Sequence, residues 1–557
     1  IIKCQTNLYI MDHSKLDDIE DMSAPLERSD EAKANTVVRK VIKSKHGNSQ
    51  EEYHELLEGE VKVPGSHTIW LKTYGCSHNV SDGEYMQGLL ADYGYRFTED
   101  RDAADLWLLN SCTVKDPSQA SFMHLVKAAQ EKAIGLVVAG CVPQADRKLR
   151  DQGLAGISMV GVQQIDKIVD VVEQTLAGNK VRHLGQRQLP LLDLPKVRRN
   201  PLVEIIPLST GCLGACTYCK TRHARGALGS YDPQAIAGRV RAVVAEGVTE
   251  IWLTSEDTGA YGRDLGTSLA ALLDLLLPLL PEDVMLRVGM TNPPFILAQL
   301  DAVAAALNHP NVFAFLHVPV QSGSDAVLGA MRREYTAAEF RRVADRLLGA
   351  APGMTLATDI ICGFPGETEE DFEETMKLIS DYKLGIVNIS QFYPRPGTPA
   401  AKMKRVDTKV VKERSRRLTR LFTGFAPYAG MEGTVHKIWI NTEVTDDGQY
   451  NVGHTKQYVK VLVPRDDAAL VGATARARVL ATARFHVVAE LVGPARKVPS
   501  HVGSEAERAV QHPSERAQVT RRKRGQHGEV KRNSPEEQQK RHSEEEKGGQ
   551  DTISSQE

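Results

Sequence analysis

Long hydrophobic runs are missing from this chain. The most apolar stretch, residues 269–280, is too short to cross a bilayer and is broken by Asp274 and Pro278. No stable membrane span is therefore expected. Aromatic residues make up only 6% of the 557, and the charges nearly cancel, 69 Lys and Arg against 71 Asp and Glu. A formal net charge of −2 does not attract phosphate, so any nucleic-acid contact has to be a local patch. Cysteine is scarce as well. Eight residues with no signal-peptide pattern point to reduced thiols and metal rather than disulfides. Residues 11–64 show little apolar periodicity, and residues 496–557 contain no Leu and no aromatic side chain. Such segments cannot bury enough surface to fold, and both ends are read as disordered and charged. The basic run at 521–524 is read as part of a solvated polyampholyte tail. Cys4 is assigned no role.

What is present centres on Cys212, Cys216 and Cys219, spaced C-x3-C-x2-C. A loop this short wraps three thiolates round one metal centre but does not readily supply a fourth. Three Cys satisfy three irons of a 4Fe–4S cubane and leave one iron open to a substrate. The alternative, a structural zinc knob, usually brings a second C-x2-C pair or His at fixed spacing. No such pair follows, and His223 lies only four residues past Cys219. The triad comes directly after a β-like run at 202–206. In this it resembles the signature of radical S-adenosylmethionine (SAM) enzymes, in which the open iron chelates SAM.

Before the triad, three β-like runs each lead into a cysteine: 68–75 into Cys76, 105–111 into Cys112 and 135–140 into Cys141. Helical patterns at 81–93, 118–133 and 163–178 alternate with them, which implies parallel βαβ units. In an open parallel sheet the carboxyl ends of the strands share one edge, so three distant cysteines converge there. Strand-end cysteines are often only packing, but three at one topological position point to a second metal site with three protein ligands.

From 202 to 392, six β-like runs (202–208, 250–255, 285–290, 313–320, 354–362, 386–392) alternate with helical ones, the pattern of a partial, open relative of the eightfold barrel. Polar or Gly/Pro turns follow its strands. The candidate cofactor-contacting residues are Tyr218 beside the triad and Ser255, Glu256, Asp257, Asn292, Gln321 and Gly363 on the rim. Their carboxylates and amides suit a ribose or an adenine edge, and Gly allows close backbone approach. Cys362 is read as a packed thiol. Lys220, Arg222, His223 and Arg225 form a basic collar suited to phosphate or carboxylate, with a solvated turn as the alternative. The basic linker at 181–200 is read as a solvated connector. After a basic helix at 404–427, short strands at 434–440, 458–463, 474–482 and 485–491 suit a small RNA-gripping β-barrel. Trp439, Tyr450, Tyr458 and Phe485 are its stacking candidates, at least half of them expected to pack in the core instead.

The expected fold class is α/β. It comprises a disordered lead-in (1–64), an N-terminal parallel α/β domain (65–180), a linker (181–200), a partial (β/α)6 barrel (201–427), a small β-barrel (428–492) and a disordered charged tail (493–557).

This order of parts, with the stretches 74–79, 109–115, 139–144, 211–226, 252–258 and 391–399, resembles the methylthiotransferase family over about residues 66–492. It is most similar to the eukaryotic and archaeal threonylcarbamoyladenosine tRNA methylthiotransferases. The resemblance implies that Cys212, Cys216 and Cys219 hold a SAM-cleaving 4Fe–4S cluster and that Cys76, Cys112 and Cys141 hold an auxiliary one. It implies that the small barrel is a TRAM domain and that the substrate is the threonylcarbamoyladenosine next to the anticodon of tRNA. It further implies an electron-donating reductase and a sulfur donor as partners. A cytoplasmic monomer is expected. Endoplasmic reticulum association, known for members with a hydrophobic anchor, finds no such anchor in the charged end of this chain.

Overall fold

Strand β3 (Leu106–Ser111) is buried along its whole length, as a strand covered on both faces must be. In this computed structural model, which describes residues 65–497 apart from 114–115, 147, 186–188 and 466–469, β3 lies inside a six-stranded sheet. The expected disorder over 1–64 and 498–557, Cys4, the basic run at 521–524 and two residues of the second cysteine motif, Val114 and Lys115, lie outside the described residues. The other strands of the sheet are β1 (Thr68–Thr73), β2 (Arg96–Phe97), β4 (Gly135–Gly140), β5 (Ser158–Val160) and β6 (Arg182–His183). All are parallel, in the order β2-β1-β3-β4-β5-β6. Period-two alternation sends Leu106 and Leu108 to one apolar layer and Trp107 and Leu109 to the other. Helix α1 (Ser77–Tyr93) covers the first layer and α2 (Asp116–Glu131) the second. Because β1, β3 and β4 are neighbours, their carboxyl ends stand side by side.

The central region repeats the parallel theme. Strands β7 (Val203–Pro207), β8 (Glu250–Thr254) and β9 (Met285–Val288) form one sheet, and β10 (Phe315–His317), β11 (Thr355–Cys362) and β12 (Ile386–Gln391) a second. A bridge from Leu286 to Val312 joins them into six parallel strands in chain order. Leu316, Leu356, Ile360 and Val387 face the helices outside, whereas Phe315, Ala357 and Ile386 face the lumen. Capping boxes, Thr336 with Glu339 and Thr368 with Asp371, start the helices Ala337–Ala350 and Glu369–Tyr382.

The last unit is a closed five-stranded β-barrel: β13 (Val435–Val444), β14 (Tyr450–Thr455), β15 (Lys460–Pro464), β16 (Ala473–Thr482) and β17 (Val487–Leu491), closed by pairing of β13 with β16. Strand β14 was not expected. A short β18 (Arg496–Lys497) adds to β16, inside the stretch read as tail. The β14–β15 turn corks the amino end of the larger barrel. Ala314 N donates to Lys456 O (2.7 Å), Thr355 Oγ1 donates to Gln457 O (2.6 Å), and Lys456 Nζ donates to Leu307 O (2.7 Å). Tyr458 stacks edge-on against Phe313, and Trp439 Nε1 donates to Asp283 O (3.1 Å). Both rings are buried with Phe313, Phe315 and Met285, so these two stacking candidates are packing residues between the barrels. Tyr450 is half-buried, and Phe485 is exposed.

The linker is also not the solvated connector expected. Lys196 Nζ is buried between Glu84 (3.2 Å) and Glu204 (3.0 Å), and Arg198 pairs with Glu204 and Glu246. Glu204 points out of the lumen from β7, where three cations outweigh burial and hold its carboxyl down at about 2. In the basic helix Thr408–Thr423, Arg414 is buried against Glu367 (2.8 Å). Among the described residues no helix is long and apolar enough to cross a membrane.

Candidate active site

The triad loop leaves β7 at its carboxyl end. Gly211 has φ +81°, and a Cβ there would stand 2.1 Å from Ala227 O, so the turn into Cys212 requires glycine. The loop is tied to the far side of the barrel: Thr217 N donates to Met331 O (2.9 Å), and Thr217 Oγ1 donates to Ala330 O (3.0 Å). A Cβ on Gly214 would be 3.5 Å from Cys212 Sγ and 3.7 Å from Cys216 Sγ, so two sulfurs flank this glycine. Burial pushes the Cys212 thiol up to about 12, with Cys219, Asp257 and Cys216 adding to the rise. Burial likewise raises Cys216, against the opposing Arg333 guanidinium, whose Nη1 stands 3.2 Å from Cys216 Sγ. Cys212 and Cys216, raised in this way, become thiolates only beside concentrated positive charge, which a metal centre provides. No three His, Cys, Asp or Glu side chains among the described residues are arranged to hold a single metal ion. A 4Fe–4S cluster, in which each thiolate binds a different iron, does not need that convergence. Three thiolates, one for each of three irons, fit such a cluster.

The second set lies at the sheet edge. Gly75 has φ +97°, and a Cβ there would strike Cys112 Sγ at 2.4 Å, so the turn into Cys76 passes directly over Cys112. Cys112 is 2% exposed, and Cys141 begins a short helix, Cys141–Ala145. Burial pushes Cys141 up to about 12, with Arg225 opposing and Cys112, Asp82 and Glu256 reinforcing. Asn79, one turn into α1, organises the edge. Its Nδ2 donates to Tyr74 O (2.6 Å) and Ser111 O (3.0 Å), the carbonyls leading toward Cys76 and Cys112, and Cys141 Sγ lies 3.9 Å from its Oδ1.

The two sets meet through Arg225, which lies six residues past Cys219 in a helical turn, Thr221–Arg225. Its buried guanidinium donates to Asn79 Oδ1 (3.1 Å) and Asp82 Oδ2 (2.6 Å), and Nε lies 3.1 Å from Glu256 Oε1. Glu256 also meets His78 Nδ1 at 2.9 Å. Burial pushes the Glu256 carboxyl up, but His78 and Arg225 outweigh it and hold it below the ordinary range. Lys220 pairs with Asp146 (3.0 Å), and Ser77 Oγ is 2.8 Å from Thr254 Oγ1. Half of the expected basic collar is thus a correction: Lys220 and Arg225 are consumed in joining the sheet to the barrel, while Arg222 and His223 are exposed.

The remaining rim residues divide. Asp257 and Asn292 come together, Asn292 Nδ2 donating to Asp257 Oδ2 (2.7 Å), and Arg333 binds Asn292 Oδ1. Ser255 Oγ accepts from Asp257 N (3.1 Å) and supports that turn. Tyr218 packs edge-on against Phe364, and Gln321, at φ +70°, donates through its backbone to Asp359 O (2.8 Å). Glu256 turns to the sheet edge instead. Gly363 faces Val411, which a Cβ would meet at 2.3 Å, so helix packing requires glycine there. Arg333, Asn79 and Asp82 were not anticipated. Arg333 lies well past its strand with no local pattern to mark it, whereas Asn79 stands inside the first cysteine motif.

A Radical SAM superfamily profile matches residues 206–379, and the profile described as Uncharacterized protein family UPF0004 matches residues 68–159. The chain is 52% identical over 463 residues to the threonylcarbamoyladenosine tRNA methylthiotransferase of Xenopus laevis, covering 81% of this chain and 82% of the relative. It is 52% identical over 465 residues to the enzyme of that name from Homo sapiens, covering 81% and 79%. It is 41% identical over 356 residues to the probable threonylcarbamoyladenosine tRNA methylthiotransferase of Pyrococcus abyssi, covering 63% and 83%. With both cysteine sets standing at strand ends and half of all residues shared over four-fifths of each animal relative, the chain belongs to the threonylcarbamoyladenosine tRNA methylthiotransferase family.

Proposed function

We propose that this chain is a radical SAM transferase that converts the threonylcarbamoyladenosine next to the anticodon of tRNA to its 2-methylthio derivative. In this reading Cys212, Cys216 and Cys219 hold one 4Fe–4S cluster, and Cys76, Cys112 and Cys141 hold a second. The observation that carries it is the buried path from one cysteine set to the other through Arg225 and Asn79. Insertion of sulfur at an unactivated aryl carbon needs a radical source and a sulfur-holding site close together, and this path supports such an arrangement. The chemistry that a cluster with SAM supplies when bound at the triad is reductive cleavage of SAM to a carbon radical.

The chain's own residues do the rest. Arg333 donates to Cys216 and binds Asn292, so it steadies the triad loop and the Asp257 turn together. The target base has to leave its stack and enter the barrel mouth. Tyr450 and Phe485 are left to stack on RNA, each contributing about 1–3 kcal/mol if it does. A reductase and a sulfur donor complete the reaction.

Mass spectrometry of tRNA nucleosides from cells lacking the protein tests the reading. The methylthio form of threonylcarbamoyladenosine is expected to vanish and to return with the restored gene. A methylthiolated isopentenyladenosine or ribosomal protein in its place overturns the substrate assignment. Iron and sulfide near eight each per chain, as two cubanes require, are expected in the reconstituted protein, and four each would remove the second cluster.

A further inference from the structure

A buried cation stands beneath the turn that carries Asn292. Arg287 is the last residue but one of β9. Its neighbours Leu286 and Val288 pack toward the outer helices, so alternation turns Arg287 into the lumen, as it does Trp252 between Ile251 and Leu253. There the guanidinium carbon lies 4.7 Å from the ring centre of Phe315, 4.8 Å from that of Trp252 and 5.1 Å from that of Tyr458. Arg287 is 3% exposed, yet among the described residues its side chain has no hydrogen-bond acceptor and no ion-pair partner, and its Nε is buried without one.

Aromatic faces ease the burial of such a charge, but they leave the N–H fork in the guanidinium plane without acceptors. Glu250, on the adjoining strand, does not supply one. Its Oε2 accepts from Trp252 Nε1 at 3.0 Å, and burial pushes its carboxyl up to about 7, with Arg287 opposing only weakly. A buried fork with no acceptor is costly unless an anion comes to meet it. Trp252 is only half-buried, so that wall of the aromatic box is not sealed. A strand advances about 3.3 Å per residue, which puts Arg287 just below the rim. The turn above it holds Asn292, and Arg333 binds both Asn292 and Cys216. The nucleoside of the proposed reaction carries an anion on its base, the carboxylate of the threonyl group hung from N6. With the base at the rim, that chain reaches down into the lumen.

We infer that Arg287 is a specificity-determining residue whose guanidinium, held flat by Trp252, Phe315 and Tyr458, binds the carboxylate of the threonylcarbamoyl group. The inference rests on the function proposed above and adds what distinguishes this nucleoside from an adenosine with an uncharged substituent. A planar fork meets a carboxylate through two parallel N–H bonds, and charge-assisted bonds of this kind are the strong ones.

The test uses the cluster-loaded full chain and two anticodon stem-loops. One carries threonylcarbamoyladenosine, and in the other the threonyl carboxylate is a primary amide, which keeps the shape and removes the charge. The parent protein is expected to prefer the acid by at least about tenfold in kcat/KM for methylthiolation. Arg287→Met should shrink that preference to about twofold or less by slowing the acid and sparing the amide. Arg287→Lys should keep part of it, since an ammonium holds the charge without the fork. A parent protein that treats acid and amide alike overturns the inference, and the rings with Glu250 then suffice to bury the charge. An Arg287→Met protein that keeps the parent's preference overturns it equally. Should that variant not load iron, Arg287→Lys carries the test, and a preference equal to the parent's is the overturning result. Anisotropy titration of the parent with both loops reads the contact without turnover. Selective binding with no product would overturn the reaction and leave the contact standing, and equal product from both loops would do the reverse.

Discussion

Arg225 Nη2 stands 3.1 Å from Asn79 Oδ1, and this bond, with Arg225–Asp82 and Lys220–Asp146, joins the loop carrying the barrel cysteines to the sheet edge carrying the others. Asn79 in turn holds the Tyr74 and Ser111 carbonyls. Both cysteine sets are thus tied to the same buried Asn79–Arg225 pair.

Arg225→Met should therefore act on both sites at once. It withdraws the guanidinium from buried Asp82 and leaves Glu256 with His78 alone. Removing one partner of a buried ion pair costs about 3–5 kcal/mol. Urea denaturation is expected to show a loss in that range, partly recovered when Asp82→Asn is added. A loss below about 1 kcal/mol, the ceiling usual for exposed pairs, would mean the network is solvated.

The two cysteine sets should separate in their readouts. Replacing Cys212, Cys216 and Cys219 together by Ala is expected to abolish deoxyadenosine formation from SAM under reducing conditions. Cys112→Ala should retain it and lose the methylthiolated nucleoside. Unchanged product from Cys112→Ala would return that set to packing.

Much of this was legible in the residues. Period-two alternation in β3 and the glycines before Cys76 and Cys141 are local signals, and they place the strands and their ends. Ion-pair partners are not local. Lys196, Arg198 and Arg225 look like solvent-facing charge in one dimension, because the carboxylates that neutralise them, Glu84, Glu204 and Asp82, arrive from other elements. Trp439 and Tyr458 were ambiguous for the same reason. An aromatic residue on a small barrel reads alike whether it meets a base or another domain, and only the docked turn decides.

Docking of the small barrel should be breakable at those rings. Trp439→Ala removes a buried indole that contacts Phe313 and Asp283. Truncations of this kind cost about 3–5 kcal/mol. Thermal unfolding is expected to split into two transitions, the earlier one belonging to the small barrel. A single transition at the parent's temperature would show that the ring adds nothing.

Glu250 should make the same junction sensitive to pH. It is buried on β8, and burial, reinforced by Glu443, pushes its carboxyl up to about 7 from an ordinary value of 4.5. Between those values the folded state binds more protons than the unfolded one, so stability falls as pH rises from about 4.5 to 7. The full span is on the order of 3 kcal/mol. Glu250→Gln is expected to flatten this part of the profile in urea titrations at pH 5 and pH 8. An unchanged slope would assign the dependence to other groups.

The corked amino end of the larger barrel has a kinetic consequence. With Tyr458 and its neighbours stopping that end, a nucleotide bound as proposed above is expected to enter and leave at the rim that carries the cysteine loops. Release of the modified RNA then competes with entry of the next at one rim, and a burst of product in the first turnover followed by a slower steady rate is the expected kinetic sign.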